Sequence, residues 1–216
     1  ALPSLVSVTG DLTVATGATT VTADALTTVD GGVEAATESL EVFRAASLSS
    51  VGADLLVGGR ALERVGVVGL TEVGGSLALE CPQCDALELS SLVRVQGDLN
   101  WLVGAPLESL NVELLSEVGG GITLDGAQSL RDFDAPALEV IGGPFVLRDL
   151  AFIETIDLSA LEEPEDLLSV VELPALTEID LSSLRLRSIG GHVQVRDNPD
   201  LAVVRPFARF IFYFYR

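Results

Sequence analysis

The chain is poor in positive charge, in histidine and in sulfur. Its 216 residues contain no Lys, no Met, one His, one Trp and two Cys, and its twelve Arg stand against 32 acidic residues, for a net charge of −20. Nucleic acid and anionic membrane both bind proteins through basic patches, so we expect neither as a partner. No apolar run approaches the roughly 18 residues that a transmembrane helix needs. The chain begins at Ala1 rather than Met, which suits a processed mature protein.

The residues that usually carry catalysis are scarce as well. His192 is the single histidine, so the sequence offers no Ser-His-Asp set. Gly-Gly pairs recur, but no helix is predicted after them, and a phosphate-binding loop needs that helix. We therefore expect no enzyme activity, no cofactor and no metal site. A β-helix enzyme that acts on polysaccharides through grouped carboxylates is a distant alternative.

The two cysteines form one Cys-Pro-Gln-Cys motif, from Cys81 to Cys84. A redox site with this spacing lies at the start of a helix, and none is predicted here. A zinc site needs two further ligands, and His192 is far along the chain. A disulfide that closes one turn is the favoured interpretation, and two free, partly buried thiols are the next.

A phrase of the form Leu-x-x-Val-x-Gly-x-Leu-x-Leu returns every 21 to 25 residues. It begins at Leu5, Leu26, Leu48, Leu70, Leu92, Leu115, Leu138, Leu161 and Leu186. Internal repetition at such a period is typical of a solenoid, in which one short unit stacks on its copies. The sequence therefore predicts one repeat domain over residues 1–204 and a separate C-terminal tail over residues 205–216.

Within each coil, apolar residues follow a fixed pattern when the opening Leu is numbered zero. They recur at 0, +3, +7 and +9, and again near +15, +18 and +20. In the seventh coil these are Leu138, Ile141, Phe145, Leu147, Ile153, Ile156 and Leu158. Steps of two indicate strands whose alternate side chains face inward. Glycine at +5 in seven of the nine coils indicates a corner that turns tightly or takes a positive φ. The predicted fold class is all-β, a parallel β-solenoid of about nine coils with 21–25 residues each.

The eighth coil departs from this pattern. Glu162, Glu163, Glu165 and Asp166, with Pro164 among them, replace the glycine corner, and two extra residues then precede Leu186. We expect a bulged acidic loop at this place, which is either solvated or used for binding.

The repeat resembles the receptor L-domain repeat, a leucine-rich-repeat-like unit of cell-surface proteins. The nearest phrases are Leu-Thr-Glu-Val-Gly-Gly-Ser-Leu-Ala-Leu, from Leu70 to Leu79, and Ile-Gly-Gly-His-Val-Gln-Val-Arg-Asp-Asn-Pro-Asp-Leu, from Ile189 to Leu201. The resemblance covers about residues 5–204 and lies in core and corner positions. It implies a right-handed solenoid, usually extracellular.

Stacked coils turn outward positions into ladders, and one of these is acidic. The residue between the last two inward positions reads Asn111, Asp134, Asp157 and Asp180 in four successive coils. Carboxylates at the strand spacing of about 4.8 Å repel by roughly 1 kcal/mol in a water-like dielectric. This candidate acidic face is either a solvated stripe or a binding surface, with calcium conceivable as its ligand. The outward column between +7 and +9 is mixed and has only two Thr, which makes an ice-binding threonine ladder a distant alternative.

The last twelve residues break the repeat. They hold four of the eight Phe and both Tyr. The aromatic and aliphatic residues are Phe207, Phe210, Ile211, Phe212, Tyr213, Phe214 and Tyr215. Uncharged segments of high β-propensity add readily to exposed sheet edges. The tail is therefore predicted to form a strand, which either caps its own solenoid or pairs with another molecule. An anchor at an outer surface, or a cloning or frameshift remnant, is the remaining interpretation.

These observations favour a non-catalytic, extracellular or cell-surface protein with a structural or adhesive role. Its predicted partner is itself, in a homo-oligomer or a head-to-tail filament joined by the tail, or another surface component. A receptor-like module that binds a ligand on one solenoid face is the alternative.

Overall fold

The chain folds as a stack of short parallel strands. The computed structural model describes residues 1–2, 4–14, 17–103, 107–164, 166–184 and 193–206. Over these residues it contains 26 strands, numbered β1 to β26 in chain order, and no helix. Each of the first eight coils contributes three strands, and β25 and β26 belong to a ninth. The predicted all-β, parallel β-solenoid is confirmed.

The strands form four sheets, in which each strand pairs in parallel with its counterpart one coil away. Sheet A contains β1 (Ser7–Val8), β4 (Thr28–Val29), β7 (Ser50–Val51), β10 (Glu72–Val73), β13 (Arg94–Val95), β16 (Glu117–Val118), β19 (Val140–Ile141) and β22 (Glu163–Pro164). Sheet B contains β2 (Leu12–Thr13), β5 (Val33–Ala36), β8 (Leu55–Gly58), β11 (Leu77–Cys81), β14 (Leu99–Val103), β17 (Ile122–Asp125), β20 (Phe145–Arg148), β23 (Leu168–Val171) and β25 (Val193–Arg196). Sheet C contains β3 (Thr20–Thr22), β6 (Val42–Arg44), β9 (Arg64–Gly66) and β12 (Ala86–Glu88). Sheet D contains β15 (Ser109–Asn111), β18 (Asp132–Asp134), β21 (Thr155–Asp157), β24 (Glu178–Leu181) and β26 (Val203–Pro206).

The core is one continuous column between these sheets. All seven inward residues predicted for the seventh coil are at most 1% exposed. Large side chains from neighbouring coils meet near the middle, where the ring of Phe133 lies 6.2 Å from the rings of both Trp101 and Phe145. Because each inward residue stacks on its equivalents in the adjacent coils, the repeat period sets both the register and the core.

The glycines at the corner before sheet B serve close packing between coils rather than a positive φ. Among the described glycines, only Gly17, Gly59 and Gly126 have a positive φ, and none of these lies at the +5 corner. A Cβ on Gly143 would instead lie 2.7 Å from the backbone nitrogen of Gly121, one coil away. The neighbouring Gly142 is tighter still, at 2.2 Å from the carbonyl oxygen of Gly119. Of the two expectations for this corner, the chain does bend there, but the described corner glycines have no positive φ. Glycine is needed because the backbone of the adjacent coil excludes a side chain.

The ninth coil opens at Leu184 rather than Leu186. The Leu184 amide donates to the carbonyl of Leu181, as the Leu161 amide donates to that of Leu158. Val140 and Ile141 pair with Glu163 and Pro164 in the regular register, and Phe145 pairs with Leu168. The corner of the eighth coil therefore contains no extra residue, and the predicted bulged loop there was wrong. Leu168 pairs with Val193, so the two extra residues fall after Leu184, within 185–192.

Two columns of polar side chains form hydrogen bonds between adjacent coils at the corners. Hydroxyls of Thr27, Ser49 and Thr71 each donate to a backbone carbonyl of the preceding coil, at 2.9 Å. At the corner before sheet B, Asp54 and Asp98 each accept a backbone amide of the following coil, at 2.7 and 2.8 Å. These bonds satisfy backbone groups where the strands are interrupted, and they occupy many of the outward polar residues.

Candidate functional site: the acidic ladder and the two ends of the solenoid

The four residues of the candidate acidic face stand in register on sheet D. Asn111 pairs with Asp134, Asp134 with Asp157, and Asp157 with Asp180. They form consecutive rungs of one outward column, which we call the acidic ladder. Strand spacing brings these rungs to about 4.8 Å from one another, so the carboxylates lie in a line along the solenoid axis.

Three of the four rungs hold their side chains by a local hydrogen bond. The side-chain Oδ1 of Asn111, Asp157 and Asp180 accepts the backbone amide two residues later, at 3.3, 2.9 and 2.9 Å. This is the Asx-turn pattern. At Asp134 the residue two places on is Pro136, which has no N–H to donate. Within the described part of the chain, Asp134 is therefore the rung without this stabilisation of its negative charge.

The surroundings of Asp134 disfavour its ionised form. Partial burial raises the pKa of the Asp134 carboxyl, and the negative charges of Asp132, Asp157 and Glu113 raise it further. Desolvation and like charges both favour the neutral acid. The first carboxylate rung of the ladder is thus one at which the neutral acid is favoured.

The ladder ends in a positive charge. Arg205 pairs with Asp180 in the strand register. Its guanidinium lies 2.7 Å from the Glu178 carboxylate and 3.8 Å from that of Asp180. The sequence predicts that the tail begins at Arg205. In the structure, β26 continues sheet D as far as Pro206. The solenoid thus extends at least two residues beyond the boundary predicted at 204.

The ladder does not gather its carboxylates around one point. Over the described ranges, no three side chains of His, Cys, Asp or Glu are close enough together to hold a metal ion. The rungs are spread along the axis instead, each on its own strand. The arrangement is therefore a line of negative charge along the solenoid axis.

The outward column of sheet B has the mixed composition that the sequence indicates. It runs in register through Thr13, Glu34, Leu56, Ala78, Asn100, Thr123, Val146, Ser169 and Gln194. Polar, apolar and charged residues follow one another along it in no regular order, so this column does not present one repeated chemical group.

A disulfide joins Cys81 to Cys84 at the corner after sheet B, with 5.3 Å between their Cα atoms. Both residues are fully buried. The Cys84 amide donates to the carbonyl of Cys81, as the Leu62 amide donates to Gly59 in the preceding coil. The disulfide thus closes a turn that other coils form without one.

The first coil leaves two sheets open. β1 and β2 are the terminal strands of sheets A and B, and we call them the N-terminal edge. Val6 and Leu2 are 56% and 41% exposed. The first two residues of the chain lie beside β3, where the Leu2 amide donates to the Thr22 carbonyl. Among the described residues, no strand pairs with the outer edges of β1 and β2.

Positive charge is concentrated at the opposite end. Six of the twelve Arg but only two of the 32 acidic residues lie in 184–216, whereas residues 1–43 hold six acidic residues and no basic one. The two ends of the solenoid therefore carry opposite net charge. The predicted contact residues Phe207, Phe210, Ile211, Phe212, Tyr213, Phe214 and Tyr215 lie outside the described residues, as does His192.

Comparisons with protein-family models, with characterised proteins and with solved structures found no match to this chain. The described residues include no helix that is long and apolar enough to cross a bilayer.

Proposed function

We propose that the chain is a non-catalytic structural or adhesive repeat protein of the extracellular space or cell surface, and that it self-associates through its C-terminal segment, residues 207–216. The observation that carries this proposal is the position of that segment. β26 ends at Pro206, and the uncharged aromatic and aliphatic run from residue 210 to 215 follows it closely. A segment of this composition favours pairing with an exposed strand over solvation.

A solenoid suits assembly because its two ends are unlike. Contact between the C-terminal end of one copy and a different surface of the next is heterologous, and repeated contacts of that kind build rings or open filaments. Capping of the segment on its own solenoid is the competing arrangement, since terminal repeats must cover their core and edges. The two arrangements differ in mass, which makes them simple to distinguish.

Extracellular placement has two supports. The repeat resembles that of the receptor L domain, which belongs to cell-surface proteins. The Cys81–Cys84 disulfide suits an oxidising compartment, because cytosolic thiols are normally kept reduced.

A non-catalytic role agrees with how the polar side chains are used. Asp54, Asp98 and the corner hydroxyls are engaged in hydrogen bonds between coils, and the ladder carboxylates stand one to a strand. The first set is therefore committed to holding the coils together, which leaves few polar side chains for chemistry.

A second candidate function is ligand binding on the face of sheet D. The unbroken register of Asp134, Asp157 and Asp180 favours it, because a line of carboxylates attracts a cationic partner. Such binding would survive removal of residues 207–216 and would be weakened by Asp157→Asn. Self-association, in contrast, would be lost on removal of residues 207–216 and would be unaffected by Asp157→Asn.

The proposal is tested by light scattering coupled to size-exclusion chromatography over a range of concentrations. The full chain is compared with a triple variant, Phe210→Ser, Phe212→Ser and Phe214→Ser, which keeps the length and charge of the segment. We expect oligomers that grow with concentration from the full chain and monomers from the variant. A matched control, Phe152→Ser, changes an aromatic residue that is 51% exposed in the seventh coil, and should assemble normally. Monomers from the full chain at every concentration would contradict the proposal.

A further inference from the structure

The N-terminal edge presents unpaired backbone groups in a strand-ready arrangement. The carbonyls of Val6 and Val8 accept the amides of Thr27 and Asp30 in the second coil. Successive residues of a strand direct their N–H and C=O groups to opposite edges, so those of Ser7 face away from the second coil. By the same pattern, Leu12 donates to Gly32, and the backbone groups of Thr13 face outward. These are the groups to which an added strand binds.

The inward side chains of the first coil are incompletely covered. Val8 and Leu12 are only partly buried, whereas their stacking partners in the second coil, Val29 and Val33, are at most 2% exposed. The core is therefore open at this end. Apolar side chains that stacked against it would bury apolar surface, and each Å² buried would stabilise the contact by about 25 cal/mol.

Charge favours a particular occupant for this edge. Residues 1–43 carry acidic side chains without any basic one, and the C-terminal coil with its tail is net positive. Complementary potentials guide association and select the partner. A second copy of this chain thus brings to the edge both the aromatic residues that would cover the core and the Arg residues that would neutralise the acids.

We infer that residues 207–216 of one copy pair as an added strand with the N-terminal edge of the next copy, along β1 and β2. This inference rests on the proposed function and names the acceptor of the C-terminal segment. Ten extended residues reach roughly 33 Å, and the open stretch from residue 6 to residue 14 contains nine. The joint links unlike surfaces, so it generates polar chains in which every copy both donates a segment and offers an edge.

The test mixes two variants that are each defective in one half of the joint. One variant ends at Pro206 and keeps β26 and an intact edge. The other carries Val6→Lys and Ser7→Pro, which place a charge and a residue without N–H on the edge but leave the tail intact. Each variant alone should sediment as a monomer, and an equimolar mixture should form a species of twice the mass of one chain and nothing larger.

Controls separate this inference from the proposed function and from misfolding. Val93→Lys changes the same column position within the solenoid, on a Val that is 39% exposed and whose backbone is paired on both sides, and it should leave assembly unchanged. Far-ultraviolet circular dichroism and Trp101 fluorescence check that the edge variant folds; if it does not, Val6→Lys alone replaces it. Assembly by the folded edge variant would overturn the inferred acceptor and leave the proposed function standing. Monomers from the full chain would overturn both.

Discussion

Asp134 and Asp157 are direct partners across the parallel strands β18 and β21, so two carboxylates occupy adjacent rungs of the acidic ladder. The Asp157 carboxylate receives a hydrogen bond from the Ser159 amide. Asp134 receives no equivalent bond, because Pro136 occupies the donor position. These two neighbouring carboxylates therefore differ, because a backbone amide stabilises the charge of Asp157 and none two residues on can stabilise that of Asp134.

The first prediction concerns pH. The pKa of Asp134 is raised in the folded protein from its ordinary value of 3.8, first by burial and then by Asp132, Asp157 and Glu113. At a pH above the raised pKa, ionisation of Asp134 therefore costs more free energy in the folded state than in the unfolded state. At a pH below 3.8 the carboxyl is protonated in both states, and this difference disappears. Asp134→Asn should raise the free energy of unfolding by about 0.5 kcal/mol at neutral pH, the scale of like charges opposed on a sheet, and by nothing near pH 3. Urea titrations at both pH values check this.

Asp180→Asn is the control for that experiment. It removes the charge of a rung that already has the Ser182 amide and Arg205 as partners, so it should give no gain at neutral pH. An equal gain from both variants would mean that general charge reduction, rather than the position of Asp134, is responsible.

A second prediction tests the close approach of adjacent coils. Gly142→Ala would place a Cβ 2.2 Å from the carbonyl oxygen of Gly119. We expect the free energy of unfolding to fall by about 1–3 kcal/mol, as for other overpacked sites. At Gly10 nothing lies within 4 Å of the added Cβ, so Gly10→Ala should change stability by less than about 0.5 kcal/mol. Equal urea midpoints for the two variants would contradict the packing explanation.

A third prediction concerns the Cys81–Cys84 disulfide. It closes a very short loop, for which the chain-entropy relation gives a stabilisation of about 2 kcal/mol. Reduction should lower the free energy of unfolding by that amount while the solenoid persists. The variant Cys81→Ala with Cys84→Leu copies Ala127 and Leu130, which form the equivalent turn in the sixth coil. This variant should fold, and reductant should not change its stability. If the native protein unfolds on reduction, the solenoid depends on the disulfide and the prediction is wrong.

Much of the fold follows from the repeat alone. Inward residues such as Ile141 and Phe145 recur at fixed positions, and in a stack each such position contacts its own copies, so core and register follow together. The in-register column of Asp134, Asp157 and Asp180 follows for the same reason. These features need no knowledge of long-range contacts beyond the period.

Other features depend on contacts that a single coil does not reveal. Leu184 and Leu186 lie two residues apart, and either could open the ninth coil as judged from the sequence pattern. Only the hydrogen bond from the Leu184 amide to the Leu181 carbonyl decides between them. The need for glycine at Gly142 arises from the carbonyl of Gly119 in another coil. Arg205 was assigned to the tail because the aromatic run follows it, although its strand completes the acidic ladder.

If residues 207–216 are the joint of a self-assembling solenoid, their removal must abolish assembly. Negative-stain electron microscopy of the full chain beside a chain that ends at Pro206, at equal concentration, tests it most directly. We expect filaments or rings from the full chain and single particles about one solenoid long from the truncated chain. Single particles of the same length from both would contradict it.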